Sequence, residues 1–373
     1  MIVPSKPFPY FGTNYSTSSY FDLTNIDFYS SGREALLSGL ISLGLQDDDS
    51  IIVPAFMCSS AIEPLKLFGF NLIFVDVDGN LNLSIDNVRK VIKTNDSISA
   101  LISVQYFGMT KDISELIAVC RNHEIKVIED VSHSFMSQFL RDKASIKSDI
   151  EIFSMRKSLP ILDGGALRVN KISKAKIKRN NDLCVSRISN TKFLIFRIFE
   201  KVLIKTGINI YARFLDTLKN KIQNQKNNEV INLNIRAGQP SQQLKKYLGN
   251  EEYIKKSQQK IITNFNQLSV SLKKIGLRVL LESVGDKVIP QACVVYDDYG
   301  GLVDYLRSVG VGAWRWPDIE MPKEIYDNPE AYPNTINLDK CLVLLPIHQD
   351  ISENNCHYMI KKIEKWYLLH SKD

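Results

Sequence analysis

Three short stretches of this chain carry residue types that can do chemistry. The first is Ser30-Ser31-Gly32-Arg33. Ser31 with Glu34 three residues later is a capping box, so a helix should start here. Backbone N–H groups at a helix start, with the positive end of the helix dipole, suit a phosphate. Gly32 permits close approach, and Arg33 can add a charged hydrogen bond. The second is Asp130, which ends the run Ile125-Lys126-Val127-Ile128-Glu129 and precedes Ser132 and His133. A carboxylate at a strand end either binds a cationic ring nitrogen or caps the next element. Its neighbour Glu129 should point to the other face of the sheet. The third is Phe153-Ser154-Met155-Arg156-Lys157, followed by Asp163-Gly164-Gly165-Ala166. A lysine linking two apolar strands is either a solvated loop residue or a nucleophile held near the sheet. Each stretch alone is ordinary. In chain order, though, they supply a phosphate site, an acid for a ring nitrogen and an amine. Those are the needs of pyridoxal 5'-phosphate, which a lysine holds as a Schiff base and an aspartate pairs at the ring nitrogen.

The elements around these residues alternate. Apolar Ala35, Leu36, Leu40 and Ile41 predict a helix over 31–43. Strands are expected at 51–53, 71–76, 100–104, 125–130, 150–154 and 166–169, with helices at 61–68 and 113–123. This rhythm predicts an α/β fold with a largely parallel sheet covered on both faces. Ligands in such sheets bind at the carboxyl ends of the strands. The residues just after Val53, Val104, Ile128 and Phe153 are therefore where a site is expected. The pattern changes beyond residue 170. A helix over 241–275, a strand over 288–296, a helix over 301–309, a strand over 341–345 and a final helix over 353–369 predict a smaller C-terminal α+β domain. The expected boundaries are 1–240 for the large domain and 241–373 for the small one.

The composition excludes several classes. With 373 residues, 44% hydrophobic and 24% charged, the chain has ordinary globular usage. No uncharged apolar run approaches the ~20 residues of a membrane helix, and the N-terminus lacks a signal-peptide core. A cytoplasmic protein is expected. Six scattered cysteines without a C-x-x-C pair argue for reduced thiols. Five histidines without ligand spacing argue against a metal site. The net charge is +6, and between Lys192 and Lys226 eight basic residues face only Glu200 and Asp216. This lies in a basic segment, 171–226, expected to be helical. A solvated or dimer-packing helical face is the reading adopted for it, with no nucleic-acid partner. A membrane-surface contact, through Phe193 and Phe196 beside Arg197, Lys201 and Lys205, is the alternative.

Taken together the segments resemble the DegT/StrS-type nucleotide-sugar aminotransferases, pyridoxal-phosphate enzymes of fold type I. The resemblance runs over roughly residues 28–370. It is carried by Ser31-Gly32-Arg33-Glu34-Ala35-Leu36, Val53-Pro54-Ala55-Phe56, Phe74-Val75-Asp76-Val77-Asp78, Val127-Ile128-Glu129-Asp130, Phe153-Ser154, Gly164-Gly165-Ala166 and Leu345-Pro346-Ile347-His348. It implies Lys157 as the Schiff-base lysine and Asp130 as the pyridinium partner. It places Gly32, Arg33 and Ser154 at the cofactor phosphate and His133 near the ring. Asn234, in Asn234-Ile235-Arg236, resembles an asparagine that reaches the phosphate from the neighbouring subunit, which implies a homodimer with shared sites. The sequence also departs from the family pattern. The step from Ser154 to Lys157 is short, Arg33 stands where threonine is usual, and Cys58 stands where an aromatic often stacks on the ring.

The function implied is transfer of an amino group from glutamate or glutamine to a nucleotide-linked keto-sugar, in surface polysaccharide or glycan biosynthesis. Two other classes remain as alternatives. One is a catalytically divergent or regulatory protein on the same fold. The other is a membrane-surface binding module built on the basic segment.

Overall fold

The computed structural model describes residues 1–10, 23, 25–95, 97–138, 148–162, 164–170, 176–183, 235–285, 287–317 and 320–371. Short β-branched and apolar runs give most of the strands, which are β1 (Ile26–Tyr29), β2 (Ser50–Pro54), β3 (Asn71–Val75), β4 (Ile98–Val104), β5 (Lys126–Asp130), β6 (Ile150–Ser154), β7 (Gly165–Val169) and, without such a run, β8 (Arg179–Leu183) and β9 (Ala237–Gln239). They form one sheet in the order β3-β2-β4-β5-β6-β7-β1-β9-β8. Strands β2 to β6 run parallel, and β7 returns antiparallel between β6 and β1.

Alternation along the parallel strands sends successive side chains to two cores. Val53, Ile102 and Ile128 pack with Leu36, Leu40, Ile62 and Leu65, from the helices Gly32–Ser42 and Ser59–Phe68. Their neighbours Ile52, Leu101 and Val127 pack with Val88, Ile92, Leu116 and Ile117, from the helices Ile85–Thr94 and Ser114–Arg121. Both faces are covered, so the carboxyl edge is where backbone and side chains remain open to a ligand.

The C-terminal part is α+β. Strands β10 (Cys293–Tyr296) and β11 (Leu342–Leu345) pair antiparallel. Phe265, Leu268 and Leu272 of the helix Glu251–Lys274 share a core with Leu302 and Leu306 of the helix Leu302–Ser308 and with Met359 and Ile363 of the helix Glu353–His370. One carboxylate ties this part to the sheet. Asp76, just past β3, accepts from Asn334 N at 3.0 Å, Thr335 N at 2.9 Å and Thr335 Oγ1 at 2.6 Å. It therefore caps the start of the helix Pro333–Cys341.

Some elements differ from the sequence expectation. The helix expected over 241–275 is two helices, Gln242–Leu248 and Glu251–Lys274, because Asn250 accepts from Tyr253 N at 3.0 Å and starts a new one. The strand expected over 288–296 begins only at Cys293, since Ile289 bonds instead to Ser137, past β5, and Gln291 to Phe107 in the loop after β4. Strand β1 lies where no element was expected, and so does the helix Ile85–Thr94, which buries only Val88 and Ile92. The basic segment 171–226 was expected to be helical. Its part Arg179–Leu183 is instead strand β8, held by the ladder to β9 and by Arg179 Nη2 on Asp27 Oδ2 at 2.8 Å. Residues 171–175 and 184–226, including the whole Lys192–Lys226 cluster, lie outside the described residues. Among the described residues no helix is long and apolar enough to cross a membrane.

Strand β7 meets the first helix at a point with no room for a side chain. A Cβ on Gly165 would stand 2.1 Å from both the carbonyl carbon and oxygen of Ser31. Backbone cannot yield as a side chain can, so Gly165→Ala should destabilise the fold by about 3 kcal/mol. A shift of the urea midpoint checks this; an unchanged midpoint would show that the helix start is not pinned to β7.

Candidate active site

The first helix begins where the sequence places it. Ser31 is the N-cap, with its hydroxyl accepting from Glu34 N at 3.4 Å. The Glu34 carboxylate does not return to the Ser31 backbone as in a full box; Ser30 Oγ donates to it at 2.6 Å. Gly32 lies against the end of β6. A Cβ there would be 3.0 Å from Ser154 Cβ, 3.4 Å from Ser154 Oγ and 3.3 Å from Phe153 O. Glycine thus lets the helix start and the Ser154 hydroxyl converge, with half-buried Arg33 on the same first turn.

Lys157 leaves β6 on a single turn of 3-10 helix, Met155–Lys157. Ser158 N and Leu159 N both bond to Met155 O, at 3.0 and 2.8 Å. This tight turn accounts for the short step from Ser154: the lysine folds straight back over the sheet edge. Its Nζ lies 3.0 Å from His133 Nε2 and 4.6 Å from the centre of the Trp316 ring. Gln291 Nε2 donates to its carbonyl at 3.3 Å. Burial pushes the Lys157 amine below its ordinary range. The charges of Asp130 and Cys58 oppose that shift, and those of Arg156 and Lys6 add to it.

Asp130 ends β5, is buried, and accepts from Ser132 N at 2.9 Å through Oδ1. Its charge acts on both Lys157 and Tyr106. The Tyr106 hydroxyl donates to Phe56 O at 2.6 Å, and burial, then Asp130, raises it well above the ordinary tyrosine value. Glu129 faces away, as alternation requires, and accepts from Gln105 Nε2 at 2.9 Å. Cys58 is the N-cap position of the helix Ser59–Phe68, with Sγ 3.0 Å from Ser60 Oγ. His133 is buried in an aromatic box. It stacks on Phe107 (ring centres 5.6 Å apart, 18° between planes) and meets Trp316 edge-to-face at 4.2 Å and 88°. Burial, then the Lys157 charge, holds His133 well below the usual imidazole range.

The structure thus assembles Lys157, Asp130, His133 and Cys58 at the carboxyl edge, with Gly32, Arg33 and Ser154 beside them. Asn234 lies outside the described residues. Two members of the site were not singled out from sequence. Phe107 lies in the loop after Val104, where the strand-end rule points. Trp316 comes from the C-terminal part, and nothing in its local sequence marks it.

Residues 24–190 match the model of the DegT/DnrJ/EryC1/StrS aminotransferase family. Protein MosB of Rhizobium meliloti is 33% identical over 158 residues, which is 42% of this chain and 30% of that protein. GDP-perosamine synthase of Vibrio cholerae is 26% identical over 144 residues, 38% of this chain and 39% of that protein. The chain therefore matches well under half the length of these curated relatives. The likeness in fold is wider. The crystallographic aminotransferase from Psychrobacter cryohalolentis superposes with a TM-score of 0.63 at 14% identity, covering 93% of this chain and 88% of that one. The fold is that of this solved structure, fold type I, and the match to the DegT/DnrJ/EryC1/StrS aminotransferase family spans a little under half of the chain.

Proposed function

We propose that this protein is an aminotransferase that uses pyridoxal 5'-phosphate to move an amino group from glutamate or glutamine to a nucleotide-linked keto-sugar. The observation that carries the reading is the Lys157 amine, half-buried and lowered in basicity, within reach of the Asp130 charge at the carboxyl edge of the sheet. The residues present fit the cofactor. The helix start at Gly32 and the Ser154 hydroxyl, brought together because Gly32 has no side chain, suit a phosphate. An amine and a carboxylate stand beside it for the aldehyde and the ring nitrogen. When bound, the cofactor supplies an aldehyde that takes up amines and a ring that accepts the electrons left by deprotonation.

The chain's own residues would then act as follows. Gly32 and Arg33, with Ser154, hold the phosphate. Cys58 and His133 flank the ring, and Asn234 reaches the phosphate from the partner of a homodimer. Asp130 keeps a proton on the ring nitrogen, because a buried carboxylate favours the adjacent cation. Lys157 Nζ, unprotonated, would take the proton from the carbon bearing the donor's amino group and, in the second half-reaction, deliver a proton to the acceptor carbon that gains the amino group. Phe107 and Trp316 keep water from that nitrogen. The nucleotide-sugar acceptor is supported by the name of the GDP-perosamine synthase relative. A role in surface polysaccharide or glycan biosynthesis follows from such a product.

The experiment is direct. Purified protein is incubated with pyridoxal phosphate, L-glutamate or L-glutamine, and GDP- or UDP-linked 4-keto-6-deoxyhexoses. Mass spectrometry should show an aminated sugar nucleotide that depends on the donor. Loss of the donor's amino group without any sugar product would leave the cofactor reading standing and remove the acceptor class.

A further inference from the structure

We infer that His133 is a positioning residue that donates its Nε2–H to Lys157 Nζ, so that the lysine presents a lone pair and not an ammonium. Its consequence for catalysis rests on the proposed role of Lys157; the geometry does not. The backbone N–H of Phe107 points at His133 Nδ1 from 3.5 Å, so Nδ1 is an acceptor. A neutral imidazole carries one proton, which then sits on Nε2. Nε2 lies 3.0 Å from Lys157 Nζ. An ammonium there would set one donor against another. The reverse arrangement, with Lys157 donating to a bare Nε2, would put a proton on Nδ1, facing the Phe107 N–H. An imidazolium fails for the same reason, and it is disfavoured by the box of Phe107, Trp316 and Tyr106, whose ring centres lie 5.6, 4.2 and 6.2 Å from that of His133.

The charges around the pair are accounted for. Asp130 from β5 and Cys58 from the start of its helix favour a charged lysine; Arg156 beside it and Lys6 from the N-terminal segment oppose it. Burial is the largest influence and acts with the histidine, against the ammonium. The box itself is fixed by the C-terminal part. Gln291 N donates to Phe107 O at 2.9 Å, and Ser137 Oγ donates to Gly108 O at 2.8 Å and to Ile289 O at 3.1 Å. A Cβ on Gly108 would lie 2.3 Å from Ile289 O, so the two segments touch backbone to backbone. The Phe107 N–H that sets the tautomer is thereby held in place.

The test uses the full chain without cofactor. Long-range 15N correlation of the histidine rings should show His133 protonated at Nε2. Competitive acetylation across pH, read at Lys157 by mass spectrometry, should show an amine that reacts well below the pH of ordinary lysines. His133→Leu keeps an apolar wall but removes the donor. The acetylation midpoint of Lys157 should rise by about one pH unit in this variant, so the amine loses reactivity at a given pH. His133→Gln, whose amide can donate, should restore most of it. A proton on Nδ1 in the wild type, or a His133→Leu profile identical to wild type, would overturn the inference. Neither readout involves cofactor or turnover, so their failure is distinct from a failure of the aminotransferase reading.

Discussion

Lys157→Ala should abolish transamination, with a loss of at least about 10⁴-fold, because one nitrogen serves both as the attachment point and as the base that moves the proton. The fold should survive. Lys157 is half-buried and sits on a single 3-10 turn whose backbone bonds run from Ser158 and Leu159 to Met155, not through the side chain. Stability should stay within about 1 kcal/mol of wild type. Activity assays at saturating cofactor, with thermal unfolding of the same sample, separate the two effects. Residual turnover within tenfold of wild type would mean that another amine does the work.

Asp130→Asn should keep bound cofactor yet lose about 10²–10³-fold in rate, the scale of removing one preorganised electrostatic partner. The amide retains the size of the carboxylate and can still accept from Ser132 N through its oxygen, as Asp130 Oδ1 does at 2.9 Å. What it lacks is the charge that keeps a proton on the ring nitrogen. The same charge opposes the lowering of Lys157, so in the variant the lysine should titrate lower still. A variant with near-normal turnover would remove Asp130 from this role.

How much of this could be read from the sequence depends on where the determinants lie. Strands β2 to β6 were legible because each is a short apolar or β-branched run bounded by turn residues. Their two faces are filled by adjacent helices, so the local pattern and the tertiary need agree. Strand β1 was not legible: it is four residues long, includes Asp27, and is defined by its ladder to β7. Strand β8 was misread because Arg179-Asn180-Asn181-Asp182-Leu183 carries no strand signal, and its pairing with β9 is made across more than fifty residues of chain. Within the candidate site, Asp130 and Lys157 could be singled out from sequence because both lie at strand ends. The short Ser154–Lys157 step looked irregular in sequence and proves to be a single tight turn. Trp316 was invisible, since a residue brought over the lysine by packing of the C-terminal part leaves no local spacing to detect. Phe107 lay in a flagged loop, but its role depends on His133, a contact that only the folded chain makes.

The central claim is that the Lys157 amine is where this chain holds pyridoxal phosphate. The most direct measurement mixes the purified protein with the cofactor, reduces with borohydride, digests, and locates the pyridoxyl group by tandem mass spectrometry. The account predicts one stoichiometric modification on Lys157, absent when the cofactor is omitted. Modification of a different lysine, or no protein-bound pyridoxyl group at saturating cofactor, would contradict it.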